Sequence, residues 1–264
     1  MMISLRLFLC LLTAVFFGGC GKPPVDSLQG RAEPPPESWA ALPPAQWPQL
    51  VLTNAAQFNG HTPLNGASSF LIRGGHGQIL GATARHLLGE NGGVAPTVEP
   101  ARLETDLVSW RMFPRTKAGE SVMVAGLASD PKPPRNLDWL LLALAKNAGK
   151  LPSYPLSLRS APVAIGEEIF LVGVPYAEPN RAQNVYHGRV TARGFSDRFR
   201  YNVEPPVDIR GFSGAPILDR SGRVVGVMTV WFEPKMDGEN TWRRAERMLR
   251  RSSRQRRGFR VTVQ

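Results

Sequence analysis

A serine set between glycines opens the most informative stretch of this 264-residue chain, Gly211-Phe212-Ser213-Gly214-Ala215-Pro216. Gly211 can take backbone conformations closed to other residues, so its N–H and that of Ser213 could face one point, and Gly214 leaves room for an incoming group. Two converging N–H groups beside a hydroxyl suit the oxyanion of acyl transfer, with Ser213 Oγ as nucleophile. The tetrapeptide alone is also ordinary turn composition, so the chemistry needs a base and a group that orients it. Of the four histidines, His86 is the best placed. It follows an apolar run in Thr83-Ala84-Arg85-His86, where a tight turn or short helix could aim it into a cleft. His61 lies in a loop, His76 at a hairpin tip and His187 on a strand that reads as sheet surface. Asp138, in Asn136-Leu137-Asp138-Trp139-Leu140-Leu141, stands at the mouth of the most apolar run. A carboxylate partly buried there needs strong donors; an imidazole N–H is one, and a local backbone cap is another. Asp106 and Asp130 are rivals in more polar surroundings.

The elements that must position these groups read as short strands. Apolar or alternating runs occur at 50–53, 68–72, 78–83, 103–112, 121–127, 138–145, 168–174, 185–192, 199–203, 215–218 and 224–231, with Gly, Pro and Asn between them. Such a series predicts an all-β sandwich or barrel, not a βαβ alternation. The run at 139–145 has helix-favouring composition, and its periodicity does not decide its type. Asp219-Arg220-Ser221-Gly222 predicts a hairpin turn just after the candidate nucleophile. Leu151-Pro152-Ser153-Tyr154-Pro155 is the best internal linker and divides the strands into two similar halves.

Chain order discriminates among catalytic arrangements. A Gly-x-Ser-x-Gly elbow needs a histidine after the serine, yet none follows Ser213, and Ala215 fills the fifth position. An aspartate-first order with His86 would require Asp26, in a proline-rich segment. His187 would permit that order but lacks a site-like setting. The order His86, Asp138, Ser213 is that of the chymotrypsin-type double barrel. The three blocks around these residues resemble the signature blocks of trypsin-like serine peptidases. Together with Gly166-Glu167-Glu168-Ile169-Phe170-Leu171-Val172-Gly173-Val174-Pro175 and Val185-Tyr186-His187-Gly188-Arg189-Val190-Thr191, they are similar to the bacterial Deg/HtrA-type protease domain.

The resemblance spans roughly residues 65–232. It implies an all-β, two-barrel chymotrypsin-like fold with a short C-terminal helix, built from two perpendicular six-stranded barrels. It also implies a peptidase domain over 49–236, with barrel one at about 49–150 and barrel two at about 156–236. By the same resemblance His86 is the base, Asp138 its orienter and Ser213 the nucleophile. The N–H groups of Gly211 and Ser213 form the oxyanion hole, and Val207 and Thr229 line the substrate pocket. A polypeptide is the implied substrate, and a small or medium apolar side chain before the cut is expected from Val207. Two positions depart from the family pattern: Ala215 replaces glycine, and Phe212 stands where Asp or Asn is usual. These departures sustain an alternative, a catalytically silent trypsin-fold module that binds peptides or proteins. The thirty-odd residues after the last strand leave no room for the PDZ domain usual in Deg/HtrA proteins. With no zinc-ligand cluster, phosphate-binding glycine loop or His-Glu-x-x-His helix, no cofactor and no metal are expected.

The two ends carry different signals. Residues 1–19 have Arg6, an apolar run at 7–17 and Gly18-Gly19 before Cys20, which predicts an export signal, too short for a membrane span. Cys20 then resembles the lipid-attachment cysteine of a bacterial lipoprotein. Cys10 would leave with the signal, so no internal disulfide is possible. Residues 20–48, with Pro34-Pro35-Pro36 and Pro43-Pro44, predict an extended tether from membrane to domain. The expected location is the bacterial cell envelope, lipid-anchored and facing the periplasm or the outside. Residues 242–264 hold nine arginines against one glutamate, so they carry +8 of the net +11. Trp242, Ala245, Met248 and Leu249 recur at helical spacing within the basic segment 237–264. Its arginines suit a solvated face or anionic lipid; without an aromatic platform or a recognised fold, nucleic acid is disfavoured.

Overall fold

The computed structural model describes residues 35–74, 77–128, 138–146, 150–194 and 198–229. Eleven strands lie within them: β1 Val51–Phe58, β2 Leu64–Arg73, β3 Ile79–Thr83, β4 Leu107–Phe113, β5 Val122–Leu127, β6 Leu140–Leu144, β7 Glu168–Gly173, β8 Asn184–Arg193, β9 Phe199–Glu204, β10 Pro216–Leu218 and β11 Val224–Val227. The first six close into a barrel in the order β1-β2-β3-β6-β5-β4. The last five form a sheet in the order β11-β10-β7-β8-β9. The fold is therefore all-β and two-lobed. Among the described residues, the second lobe is a five-stranded sheet in place of the six-stranded barrel that the resemblance implies.

The unbroken apolar character of β2 has a direct cause. Leu71 faces the barrel interior with Trp110, Met112 and Leu142, while Phe70 and Ile72 face the second lobe and pack with Leu171 and Ile217. A strand buried on both faces has no reason to alternate. On β4, by contrast, Trp110 and Met112 are buried while Arg111 between them faces solvent, the pattern of a half-buried strand. The stretch of helix-favouring composition before Ala145 becomes β6. It lies between β3 and β5, with Leu80 opposite Ala143 and Thr83 opposite Leu140, and this pairing overrides intrinsic preference. The run predicted from 103 splits into a single helical turn, Leu103–Asp106, followed by β4.

The packed unit begins before the predicted boundary at Gln49. Residues 35–48 hold two short 3-10 turns, Ser38–Ala41 and Pro44–Gln46, and both Trp39 and Trp47 are buried. The two indoles meet edge to face at 5.0 Å, and Trp47 meets Phe170 at 5.4 Å. The Glu37 carboxylate accepts the Tyr154 hydroxyl at 2.7 Å and the Ser157 hydroxyl at 2.8 Å. Proline content suggested a free tether, but two tryptophans bury enough apolar surface to hold this segment down as a strap. The linker is stitched too: Tyr154 N–H donates to Gln49 O and Leu156 N–H to Leu71 O, both at 2.8 Å. The predicted export signal, Cys20, the basic tail with its predicted helix, His76 and Asp130 lie outside the described residues.

Candidate active site

The barrel brings His86 and Asp138 together through strand register. Thr83 pairs with Leu140, so the residues just beyond the end of β3 lie beside those just before β6. The chain then turns through a 3-10 segment, Arg85–Leu88, pinned by Leu87 and Leu88 in the barrel core. Asp138 uses both carboxylate oxygens on the histidine. Oδ1 accepts the His86 backbone N–H at 2.8 Å, and Oδ2 lies 2.9 Å from His86 Nδ1. A carboxylate in that position accepts a hydrogen bond from Nδ1–H, which leaves the Nε2 lone pair as the acceptor. The side chains are 18% and 22% exposed, sheltered yet reachable.

Ser213 sits on the turn that enters β10, and that turn is fastened to barrel one. Ser68 N–H donates to Ser213 O and Ser68 Oγ to Gly211 O, each at 2.8 Å. Thr83 Oγ1 donates to Ser68 O at 2.7 Å, and Thr83 lies three residues before His86. A hydrogen-bonded chain thus links the Ser213 turn to the strand that leads to His86. At Gly214, with φ +89°, a Cβ would run into Ser68 O and Thr83 Oγ1, so only glycine lets the lobes close this far. Gly211 has φ +104°. The N–H groups of Gly211 and Ser213 donate to no acceptor among the described residues.

The rival groups are engaged elsewhere. His61 contacts Pro96 O through Nδ1 and Asp106 through Nε2, while Asp106 also accepts from Arg102 and Thr105. Burial raises the Asp106 carboxyl, but those hydrogen bonds and the charges of Arg102 and His61 outweigh it and hold it below the usual range. His187 pairs with Glu168 and packs on Phe170 at 4.7 Å. Ala215 and Phe212 are both fully buried in the second lobe. The Phe212 ring occupies the space where a Cβ at Gly173 would lie and meets Tyr186 at 5.5 Å. Val207 is half-buried and Thr229 buried. Asp208 is bound by the Arg210 guanidinium and backbone N–H. Sequence reasoning did not single out Ser68 or Tyr176. A pair of hydroxyls, Ser68-Ser69, inside a strand buried on both faces was the available signal for the first.

A strand-built barrel and sheet, with a histidine–aspartate pair and a glycine-flanked serine turn, define a two-lobed peptidase of the chymotrypsin type. The family model for the trypsin-like peptidase domain matches residues 67–227, and the chain belongs to that family, as a serine-type peptidase. No curated protein matches the chain. Among solved structures it is similar to the Rv3671c protease in its inactive form, at 18% identity over 81% of this chain and 84% of that one, TM-score 0.46. The active form of that protease, from M. tuberculosis, gives 17% identity over 75% and 78%, TM-score 0.47. The serine endoprotease from Yersinia pestis gives 15% identity over 81% of this chain and 58% of that one, TM-score 0.46.

Proposed function

We propose that the chain is a serine endopeptidase in which His86, Asp138 and Ser213 act as a triad on exported or envelope polypeptides. The observation that carries this reading is the two-point engagement of His86 by Asp138. It fixes the imidazole tautomer that a general base requires, in a family whose chemistry is acyl transfer from a serine. In this reading Ser213 Oγ gives its proton to His86 Nε2 and bonds to the scissile carbonyl carbon. The carbonyl oxygen gains the negative charge and meets the N–H groups of Gly211 and Ser213. The C–N bond then breaks, the amine leaves with the proton from His86, and water releases the acyl group by the same steps.

The silent-module alternative rested on Ala215 and Phe212, and the burial of both gives them a packing role that needs no loss of catalysis. We assign Val207 and Thr229 to the pocket for the side chain before the cut. Asp208, the carboxylate next to Val207, is paired with Arg210 and does not await a substrate cation. A small or medium apolar residue is therefore preferred there. The chain is further proposed to be exported and held by a lipid on Cys20, with the basic tail beside anionic headgroups. The test is fluorophosphonate labelling of the full chain followed by location of the adduct. Label on Ser213, lost in Ser213→Ala with the fold retained, supports the triad. Folded wild-type protein that stays unlabelled would restore the silent module.

A further inference from the structure

One peptide decides whether an oxyanion can be bound, and its orientation is held from the other lobe. In a trans peptide the C=O and N–H point in opposite directions. Tyr176 N–H donates to Arg210 O at 3.0 Å, so the N–H of the same peptide, that of Gly211, is turned the other way. Phe212 N–H closes the turn on Ile209 O at 3.0 Å, with Gly211 at φ +104°. For glycine this turn and its flipped counterpart are both accessible, so outside contacts choose between them. Tyr176 supplies several. Its ring lies 3.0 Å and Val174 O 3.1 Å from where a Gly211 Cβ would stand, and its hydroxyl accepts Ala67 N–H at 2.8 Å.

Yet Tyr176 is 51% exposed and follows the end of β7, with no strand partner to hold it. Besides the Ala67 N–H on its hydroxyl, it is held by Arg115, from the turn between β4 and β5 in barrel one. Arg115 Nη1 donates to Pro175 O at 2.8 Å, Nη2 reaches Val174 O at 3.4 Å, and its Cζ stands 5.7 Å from the Tyr176 ring centroid. A planar guanidinium can grip two successive carbonyls and stack on a ring at once; an ammonium cannot. We propose that Arg115, acting through Tyr176, is a positioning residue that keeps the Arg210–Gly211 peptide oriented for oxyanion binding. The inference rests on the serine peptidase reading above.

The test uses the full chain with Arg115→Ala, Arg115→Lys and Tyr176→Phe, a peptide ester substrate and a peptide aldehyde whose hemiacetal oxygen uses the hole. Arg115→Ala is expected to lower kcat by about 10- to 100-fold, less than deletion of a hole donor itself, with KM within about threefold. Aldehyde affinity should fall in step with kcat. Arg115→Lys, which keeps the charge but cannot grip both carbonyls, should fall between wild type and Arg115→Ala. Tyr176→Phe keeps the backbone N–H and the ring, so it should retain most of kcat. If Arg115→Ala does not fold, the lysine and phenylalanine variants decide by the same readings. Unchanged kcat in Arg115→Lys or Arg115→Ala, or a loss confined to KM, overturns the inference while the peptidase reading stands. A wild-type chain that neither labels nor turns over would sink that reading instead.

Discussion

Replacing Asp138 by Asn tests the site at a single atom. The carboxylate faces two N–H donors, the His86 backbone at 2.8 Å and Nδ1 at 2.9 Å, and accepts from both. An amide has only one oxygen. Turned so that its NH₂ meets the backbone N–H, it leaves a sheltered donor facing a donor that cannot change. Turned the other way, it satisfies the backbone and points NH₂ at Nδ1. The ring can answer only by moving its proton to Nε2, the atom that must accept from Ser213. The second arrangement keeps both hydrogen bonds, so the fold should lose no more than about 1 kcal/mol. Catalysis should lose about 10⁴-fold, the figure for the chymotrypsin-type template, equivalent to about 5.5 kcal/mol of transition-state stabilisation. The assays are kcat on a peptide ester and the thermal midpoint, measured on the same preparation. A variant with kcat within tenfold of wild type would refute the reasoning. So would a large loss in Asp106→Asn, since Asp106 belongs to the His61 and Arg102 cluster.

Gly214→Ala combines a positive-φ residue with overlap on Ser68 O and Thr83 Oγ1, and should cost about 2–6 kcal/mol in denaturant unfolding. Trp39→Ala should cost about 3–5 kcal/mol, because the buried ring packs on Trp47 and Tyr154; an unchanged midpoint would mean that the strap is not part of the folded unit. Glu167 provides a pH test. Burial raises its carboxyl, but hydrogen bonds from Arg159 and Ala164 N–H and the charges of Arg159 and Arg223 outweigh it and hold it below the ordinary range. A depressed folded value means that its stabilisation is complete above the unfolded pKa of about 4.3 and fades as pH falls through the folded value. Glu167→Gln should therefore flatten the acid side of the stability curve below about pH 5, and an identical acid slope in both proteins would count against this.

Much of the fold was legible because its signals are local. Each of the eleven strands overlaps an apolar run bounded by turn residues, and the 139–145 run was settled only by its neighbours β3 and β5. His86 and Asp138 could be picked out because each adjoins a strand, and the register that joins them follows from pairing of those same strands. The strap at 35–48 was not legible. Proline content argues for an extended chain, and what Trp39 and Trp47 pack against is far away in sequence. Ser68 and Arg115 were hidden for a related reason. Ser68 acts through its contacts with Gly211 and Ser213, and Arg115 acts on carbonyls sixty residues away. A donor that serves a distant backbone carbonyl leaves no pattern in the residues around it.

Phe212 joins these strands of argument. At the position before Ser213, an acid would offer charge to a partner, while a phenylalanine can offer only packing. The ring is fully buried between Gly173 and Tyr186, and Gly173 admits it by having no side chain. Burial of such a ring contributes about 1.5–3 kcal/mol, enough to hold one face of the turn without an ion pair. The other faces are held by Tyr176 N–H on Arg210 O and by Ser68 Oγ on Gly211 O. The turn proposed to bind the oxyanion is thus anchored by apolar burial behind it and by neutral hydrogen bonds on either side. None of these restraints depends on a titrating group or on a newly exposed chain end. Activity should therefore carry no requirement for a charged partner at residue 212.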